Sequence, residues 1–331
     1  MIITQVPLRM SFLGGGTDYR SFFEKHGGSV LSTTFNKYCY ATVRTLPPFF
    51  DYRNQVSYAK IEKTQTPDEI EHPMVREAMK YLDIQNIRIM YDADLPARSG
   101  LGSSSAFCVA LLQAFYAVKG RYASKQQLAE EAIFVERVLC NEAGGEQDQI
   151  AVAHGGFNRI NFRADGYEIY PLILTKTRKK ALNERLLMFF TGISRISAEI
   201  AGEQLKMTDS KTSHLQEMLQ LVDEGEKILV SECDLSEFGK LLDYSWKLKR
   251  GLTNKISTQY IDDIYTKALA NGAIGGKLLG AGGGGFLVLY AEPYRHEQLK
   301  KALNNLLCIP FEFENNGCKI LYYTPEDQKS I

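Results

Sequence analysis

From Ser99 to Val118 the chain runs for twenty residues without a charge, bounded by Arg98 and Lys119. A stretch of that kind has to leave water, either across a bilayer or into a protein core. It opens Ser-Gly-Leu-Gly-Ser-Ser-Ser and includes Gln113, which leaves too short an apolar part for a membrane span. A buried helix from near Ser104 to about Lys119 is predicted instead. Met1-Ile2-Ile3 has no basic flank, and Arg9 interrupts any apolar leader, so no secretory signal is read. The 39 Lys+Arg balance 39 Asp+Glu, which argues against a basic nucleic-acid surface, and no nucleic-acid or membrane partner is expected. Six scattered cysteines without a C-x-x-C read as reduced thiols in a cytoplasmic protein, and the five histidines include no metal-spaced pair.

The pattern of elements predicts an α+β chain of about two domains. Ile2 to Val6, Ser29 to Thr34, Tyr38 to Arg44 and Ile87 to Tyr91 read as strands of a mostly antiparallel or mixed sheet. Ser124 with Gln127 three residues later is a capping-box signal, and Leu128, Ala132, Val135 and Leu139 form a stripe with Glu136 at its edge. Strands follow at Phe157 to Phe162 and Leu186 to Thr191. The turn Ala164-Asp165-Gly166 and the basic stretch Lys176 to Lys180 suggest a boundary, dividing the chain into 1–170 and 171–331. Beyond it, Leu215 to Leu229 and Phe238 to Leu248 read as amphipathic helices. The strands Phe286 to Tyr290 and Lys319 to Tyr323, flanking a helix with Leu299 and Leu303, are assigned to the second domain.

Three segments combine glycine with small hydroxyl residues at element junctions. The central one, Arg98-Ser99-Gly100-Leu101-Gly102-Ser103-Ser104-Ser105-Ala106, follows a strand and opens the uncharged helix. Glycine admits positive φ and close approach of a bulky anion, while free N–H groups and the helix dipole favour phosphate. The same residues could merely cap a helix. The dinucleotide fingerprint fails at its third glycine, where Ser105 stands, and the P-loop fails because Lys277 is followed by Leu278. The other two segments are Pro7-Leu8-Arg9 leading to Gly14-Gly15-Gly16-Thr17-Asp18, and Gly275-Gly276-Lys277 leading to Gly280 through Gly285.

These three ordered segments resemble the signature motifs of the GHMP small-molecule kinases, over nearly the whole chain. The Gly-Gly-Gly-Thr-Asp turn, Trp246-Lys247-Leu248-Lys249 and the Gly275-Gly276-Lys277 lead-in are most similar to the heptose 7-phosphate kinases, then to fucokinase-type enzymes. Galactokinase-like members have Glu-His at Gly15-Gly16. The resemblance implies an N-terminal ribosomal-S5-like α/β domain that binds ATP, and a C-terminal ferredoxin-like domain, with the site between them.

The resemblance also implies roles. Asp148 matches the catalytic carboxylate, whose bland alternative is a loop aspartate; Arg9 matches the basic residue that would keep it ionised and offset phosphoryl charge. Residues 98–106 would hold ATP, with Ser104 and Glu136, twelve residues before Asp148, as ligands of Mg²⁺. Gly15, Gly16, Thr17 and Asp18 would face the sugar, though Asp18 could equally make an Asx turn. Gly282 and Gly283 would meet the substrate as the segment from Gly280 to Gly285 closes the cleft, or the segment could simply make a tight turn before the strand Phe286 to Tyr290. Lys277, with no evident structural duty, would meet a substrate phosphate, with Arg195, Lys247, Lys249 and Arg250 behind it. The expectation is a cytoplasmic ATP-dependent sugar 1-kinase acting on a heptose 7-phosphate. The rivals are an L-fucose or related hexose 1-kinase and a catalytically silent sugar- and ATP-binding regulator.

Overall fold

The computed structural model describes residues 1–193, 197–207 and 209–324. In its first part β1 (Ile2–Leu13), α1 (Arg20–His26), β2 (Gly28–Thr45), β3 (Asn54–Ser57), β4 (Ile61–Thr64), α2 (Pro73–Tyr81) and β5 (Ile87–Ala93) precede the helices α3 (Ser103–Val118), α4 (Lys125–Ile133) and α5 (Gln147–His154). β6 (Phe157–Arg163), β7 (Gly166–Pro171) and α6 (Lys176–Asn183) then lead to β8 (Leu186–Phe190). The remainder carries α7 (Ser197–Met207), α8 (Thr212–Val230), α9 (Ser236–Arg250), α10 (Gln259–Ala270), β9 (Ala273–Leu278), β10 (Phe286–Ala291), α11 (His296–Ala302), β11 (Leu307–Ile309), β12 (Phe313–Glu314) and β13 (Lys319–Tyr323).

Two sheets result. Among the described residues the larger has nine strands, in the order β13-β1-β2-β5-β3-β4 with β6 and β12 paired to β2 and β7 to β6; the smaller runs β11-β8-β10-β9. The two strands read from the sequence at 29–34 and 38–44 are one 18-residue strand, whose first half pairs with β6 and second half with β5. β1 lies along its other edge, with register shifts at Pro7/Leu8 and Ser11/Leu13. Such bulges bend a strand and re-aim the side chains between them, here Arg9 and its neighbours.

The uncharged run becomes α3, with thirteen of its sixteen residues buried, pressed between the large sheet and its companion helices. Thr4 Oγ1 donates to Ala110 O at 2.9 Å, so even the contact between sheet and helix satisfies its polar groups. Among the described residues no helix is long and apolar enough to cross a membrane. α8 and α9 bring Leu221, Val222, Leu229, Phe238 and Leu242 into the same core as Phe12, Val30 and Leu31, which is why β1 is buried on both faces. A second core gathers Trp246, Ile256, Tyr265, Leu278 and Leu289 around the small sheet.

One assignment is corrected. Lys319 to Tyr323 does not join the strands of the second half; β13 pairs antiparallel with β1, Ile2 opposite Tyr323, and β12 pairs with Phe35 and Thr34 of β2. A cut at residue 170 therefore separates strands that share hydrogen bonds.

Candidate active site

The first glycine turn is built around Thr17. Its one hydroxyl proton is shared between Gly14 O at 2.8 Å and Ser29 O at 2.9 Å, its oxygen accepts from Ser29 N, and the residue is fully buried. Thr17 thus locks the turn rather than offering its hydroxyl outward, contrary to expectation. Gly14 is obligatory there, since at φ 78° a Cβ would sit 1.9 Å from Ser29 O.

That turn presents Asp18, 2 % exposed, to α5. Gly16 N donates to Oδ1 at 2.8 Å and the Gln147 side chain to Oδ2 at 2.9 Å. Burial pushes the Asp18 carboxyl up, opposed by these hydrogen bonds. Gly145 leaves room for it: a Cβ would lie 1.9 Å from Oδ2. Arg137 holds that loop by donating to Gly145 O at 2.7 Å. Neither Gln147 nor Arg137 was picked out by the sequence, because an uncharged amide and a loop-binding guanidinium carry no spacing signal.

Arg9 and Asp148, 139 residues apart, form a bidentate pair: Nε to Oδ1 at 2.7 Å and Nη2 to Oδ2 at 2.6 Å, with Nη1 donating to Gly100 O at 2.6 Å. The arginine side chain is 4 % exposed and the carboxylate 23 %, so the aspartate is the member that opens to solvent. Such a fork fixes the plane of the carboxylate as well as its place.

The central segment crosses directly above. Arg98, Gly100 and Gly102 all take positive φ (59°, 81° and 71°), and Gly102 caps α3 without a side-chain hydrogen bond, leaving the first N–H groups of the helix open. A Cβ at Gly102 would lie 3.0 Å from Arg9 Cγ and 3.5 Å from Asp148 Oδ2. The backbone therefore passes close enough to the acid–guanidinium pair that a side chain at 102 would crowd Arg9. The hydroxyls, indistinguishable in sequence, separate here. Ser99 donates to Pro96 O at 2.6 Å, Ser103 accepts from Arg98 N at 3.3 Å, and Ser105 donates to Glu136 Oε2 at 3.2 Å. Ser104 alone is exposed, while Leu101 and Ala106 turn into the core and leave only their backbone to a ligand.

Glu136 reaches the site from a π-helical segment, Phe134–Leu139, that extends α4. The wider turn carries it from the edge of the stripe to a buried position, 2 % exposed. Its Oε1 is buried without a hydrogen-bond partner, and burial pushes its carboxyl up to about 7, partly opposed by Arg137. An orphaned carboxylate oxygen beside a serine hydroxyl suits a hard cation. The hydroxyl it touches belongs to Ser105, not the expected Ser104.

The third segment closes the arrangement from the small sheet. A Cβ at Gly280 would meet Gly100 Cα at 2.4 Å, and one at Gly285 would meet Ser99 O at 2.1 Å. Gly280 and Gly285 make this backbone contact, whereas Gly283 N donates to Ile256 O at 2.9 Å and Gly282 packs on the same residue. Lys277, expected to lack a structural duty, has one: it is 2 % exposed and donates to Phe12 O at 2.7 Å, tying β9 to β1. Burial pushes its ammonium well down. Lys247 and Arg250 lie nearer the surface in ion pairs with Asp243 and Asp262. Arg195 lies outside the described residues.

Comparison with known proteins bears on this geometry. Residues 72–156 match the model for the GHMP kinases N terminal domain and residues 229–307 that for the GHMP kinases C terminal domain. The chain is 29% identical to a D-glycero-alpha-D-manno-heptose 7-phosphate kinase of Campylobacter jejuni, covering 91% of this chain and 93% of the relative. It is 24% identical to a bifunctional fucokinase/GDP-fucose pyrophosphorylase of Arabidopsis thaliana, over 90% of this chain but 31% of that longer protein. The crystal structure of a D-glycero-D-manno-heptose 1-phosphate kinase from Bacteroides thetaiotaomicron superposes with a TM-score of 0.79, at 23% identity, over 97% of this chain and 99% of that one.

Proposed function

The chain belongs to the GHMP kinases and is a sugar kinase, and on that footing we propose that it transfers the γ-phosphate of ATP to the anomeric hydroxyl of D-glycero-D-manno-heptose 7-phosphate, giving the 1,7-bisphosphate. The observation that carries the reaction is the Arg9–Asp148 fork beneath the glycine cradle of residues 98–102. The sugar assignment rests on likeness to the Campylobacter kinase and on the Gly14-to-Asp18 turn.

In this reading Asp148 Oδ accepts the proton of the sugar hydroxyl as its oxygen bonds to the γ-phosphorus. The bond from phosphorus to the β,γ-bridging oxygen breaks, and its electron pair leaves with ADP. Arg9 holds both oxygens of Asp148, so the base meets the hydroxyl in one orientation. The backbone from Arg98 to Ala106 receives the nucleotide phosphates. Mg²⁺, held by Glu136 with Ser105 or Ser104, would neutralise charge on their oxygens. Gly15, Gly16 and Asp18 face the sugar, and Gly280 to Gly285, with Gly282 and Gly283 on the far side, hold the second half against the cradle. Lys277 keeps Phe12 O with one of its three ammonium donors and meets a substrate phosphate with another. A reaction that consumes ATP fits a cytoplasmic protein with small-molecule partners.

The test is ATP-dependent phosphorylation of a panel of sugars and sugar phosphates, with the product position read by NMR. Turnover of free fucose with none of heptose 7-phosphate would replace the substrate; no ATP consumption with any sugar would favour the silent regulator.

A further inference from the structure

The sugar-kinase reading, on which any role for Lys249 rests, gives it no task beyond its place behind Lys277 as an alternative cation for a substrate phosphate, yet Lys249 occupies a costly position. Of the cations near the end of α9, Lys247 is 62% exposed and Arg250 37%, but Lys249 points inward and is 5% exposed. Its Nζ donates to Gly280 O, at the tip of the segment that touches Gly100. That contact uses one of three ammonium donors. Among the described residues no carboxylate lies within ion-pair distance of Lys249 or of Lys277, and its charged surroundings come from four other elements. These are Arg9 on β1, Asp18 after β1, Asp148 on α5 and Lys277 on β9. Arg9 is already committed to both oxygens of Asp148 and to Gly100 O. A buried ammonium with spare donors and no counter-ion destabilises a fold, and such groups persist where a ligand uses them.

We propose that Lys249 is a substrate-binding cation of the catalytic centre, donating a hydrogen bond to an oxygen of the acceptor sugar between Asp18 and Asp148. It transfers no proton: Asp148 takes the hydroxyl proton, and the ammonium offsets negative charge growing on the acceptor oxygens. Burial and Arg9 push its ammonium down to about 8, with Asp18 and Asp148 opposing. The charge it supplies is therefore lost as pH rises through that value.

The measurement is kcat and KM for sugar and for ATP, across a pH series, in wild type, Lys249→Met and Lys249→Arg, with melting temperatures alongside. It uses whichever sugar the panel shows to be turned over, so a fucose kinase would correct the substrate above while leaving this experiment intact. The methionine variant should lose about a hundredfold in kcat/KM for sugar with KM for ATP within about threefold. Wild type should lose kcat/KM for sugar above about pH 8, and Lys249→Arg, permanently charged, should retain activity without that alkaline fall. Three outcomes overturn the proposal: unchanged sugar kinetics in Lys249→Met, sugar and ATP constants worsening in step with melting temperature, or an alkaline fall that persists in Lys249→Arg. Should the methionine variant fail to fold, the pH profile of the arginine variant decides alone.

Discussion

Replacing Glu136 by glutamine should stabilise the protein in alkali while abolishing its activity. The carboxyl sits 2 % exposed with Oε1 unpartnered, and its folded-state value is about 7 against an ordinary 4.5. The folded chain therefore holds this proton more tightly than the unfolded chain. Stability is highest where both are protonated and falls as pH rises from about 4.5 to about 7. At 1.36 kcal/mol per pH unit the full loss is about 3 kcal/mol, of which roughly 1 kcal/mol is already spent at pH 5. Glutamine has the same shape, can still accept from Ser105, and does not titrate. The stability difference between Glu136→Gln and wild type should thus grow in favour of the variant by about 2–3 kcal/mol between pH 5 and pH 8.5. Urea unfolding at the two pH values, without Mg²⁺, reads it directly. Adding Mg²⁺ with a non-hydrolysable ATP analogue should stabilise wild type and leave the variant nearly unmoved. A difference that is flat with pH, or that shrinks, would refute the argument that this carboxylate is held in place at the expense of stability.

Arg9→Lys keeps the charge but loses the fork, and turnover should fall at least a hundredfold while KM for ATP moves little; steady-state kinetics with each substrate varied separate the two. Gly280→Ala places a Cβ 2.4 Å from Gly100 Cα at φ 75°, whereas Gly120→Ala, at φ 63°, meets nothing within 4 Å. Both should lose about 1 kcal/mol from backbone strain, but only the first should raise KM for ATP, by about tenfold or more. Gly145→Ala drives a methyl into Asp18 Oδ2 and should raise KM for the sugar with KM for ATP within about threefold, checked by initial rates across the two concentrations.

The three glycine segments were legible as parts of one place, and they do meet: a Cβ at Gly102 would crowd Arg9 and one at Gly280 would strike Gly100. Ser124 caps α4 as its spacing implied, accepting from Gln127 N at 3.1 Å. Arg9 and Asp148, named as partners from motif resemblance, do form a pair. What could not be read is of three physical kinds. The π-helical turn that swings Glu136 inward leaves no mark in a 3.6-residue periodicity. The duties of Thr17 and Lys277 depend on carbonyls of Ser29 and Phe12, and backbone acceptors are anonymous in a sequence. The placement of β13 depends on an open edge of β1, which local pattern does not reveal; its alternation suits either sheet.

The pairing of β13 with β1 also orders events in time. The Met1 amino group donates to Thr324 O at 2.6 Å, and Thr324 N returns a bond to Met1 O at 2.9 Å, so the first strand is finished by the last one described. A ribosome adding about 5–20 residues per second delivers β13 roughly 15–60 s after β1. Throughout that interval the newborn strand has one row of amides and carbonyls bare, an invitation to mispairing with other nascent chains. Yield in the cell should accordingly respond to chaperone supply and translation speed more than the finished molecule's melting point would suggest.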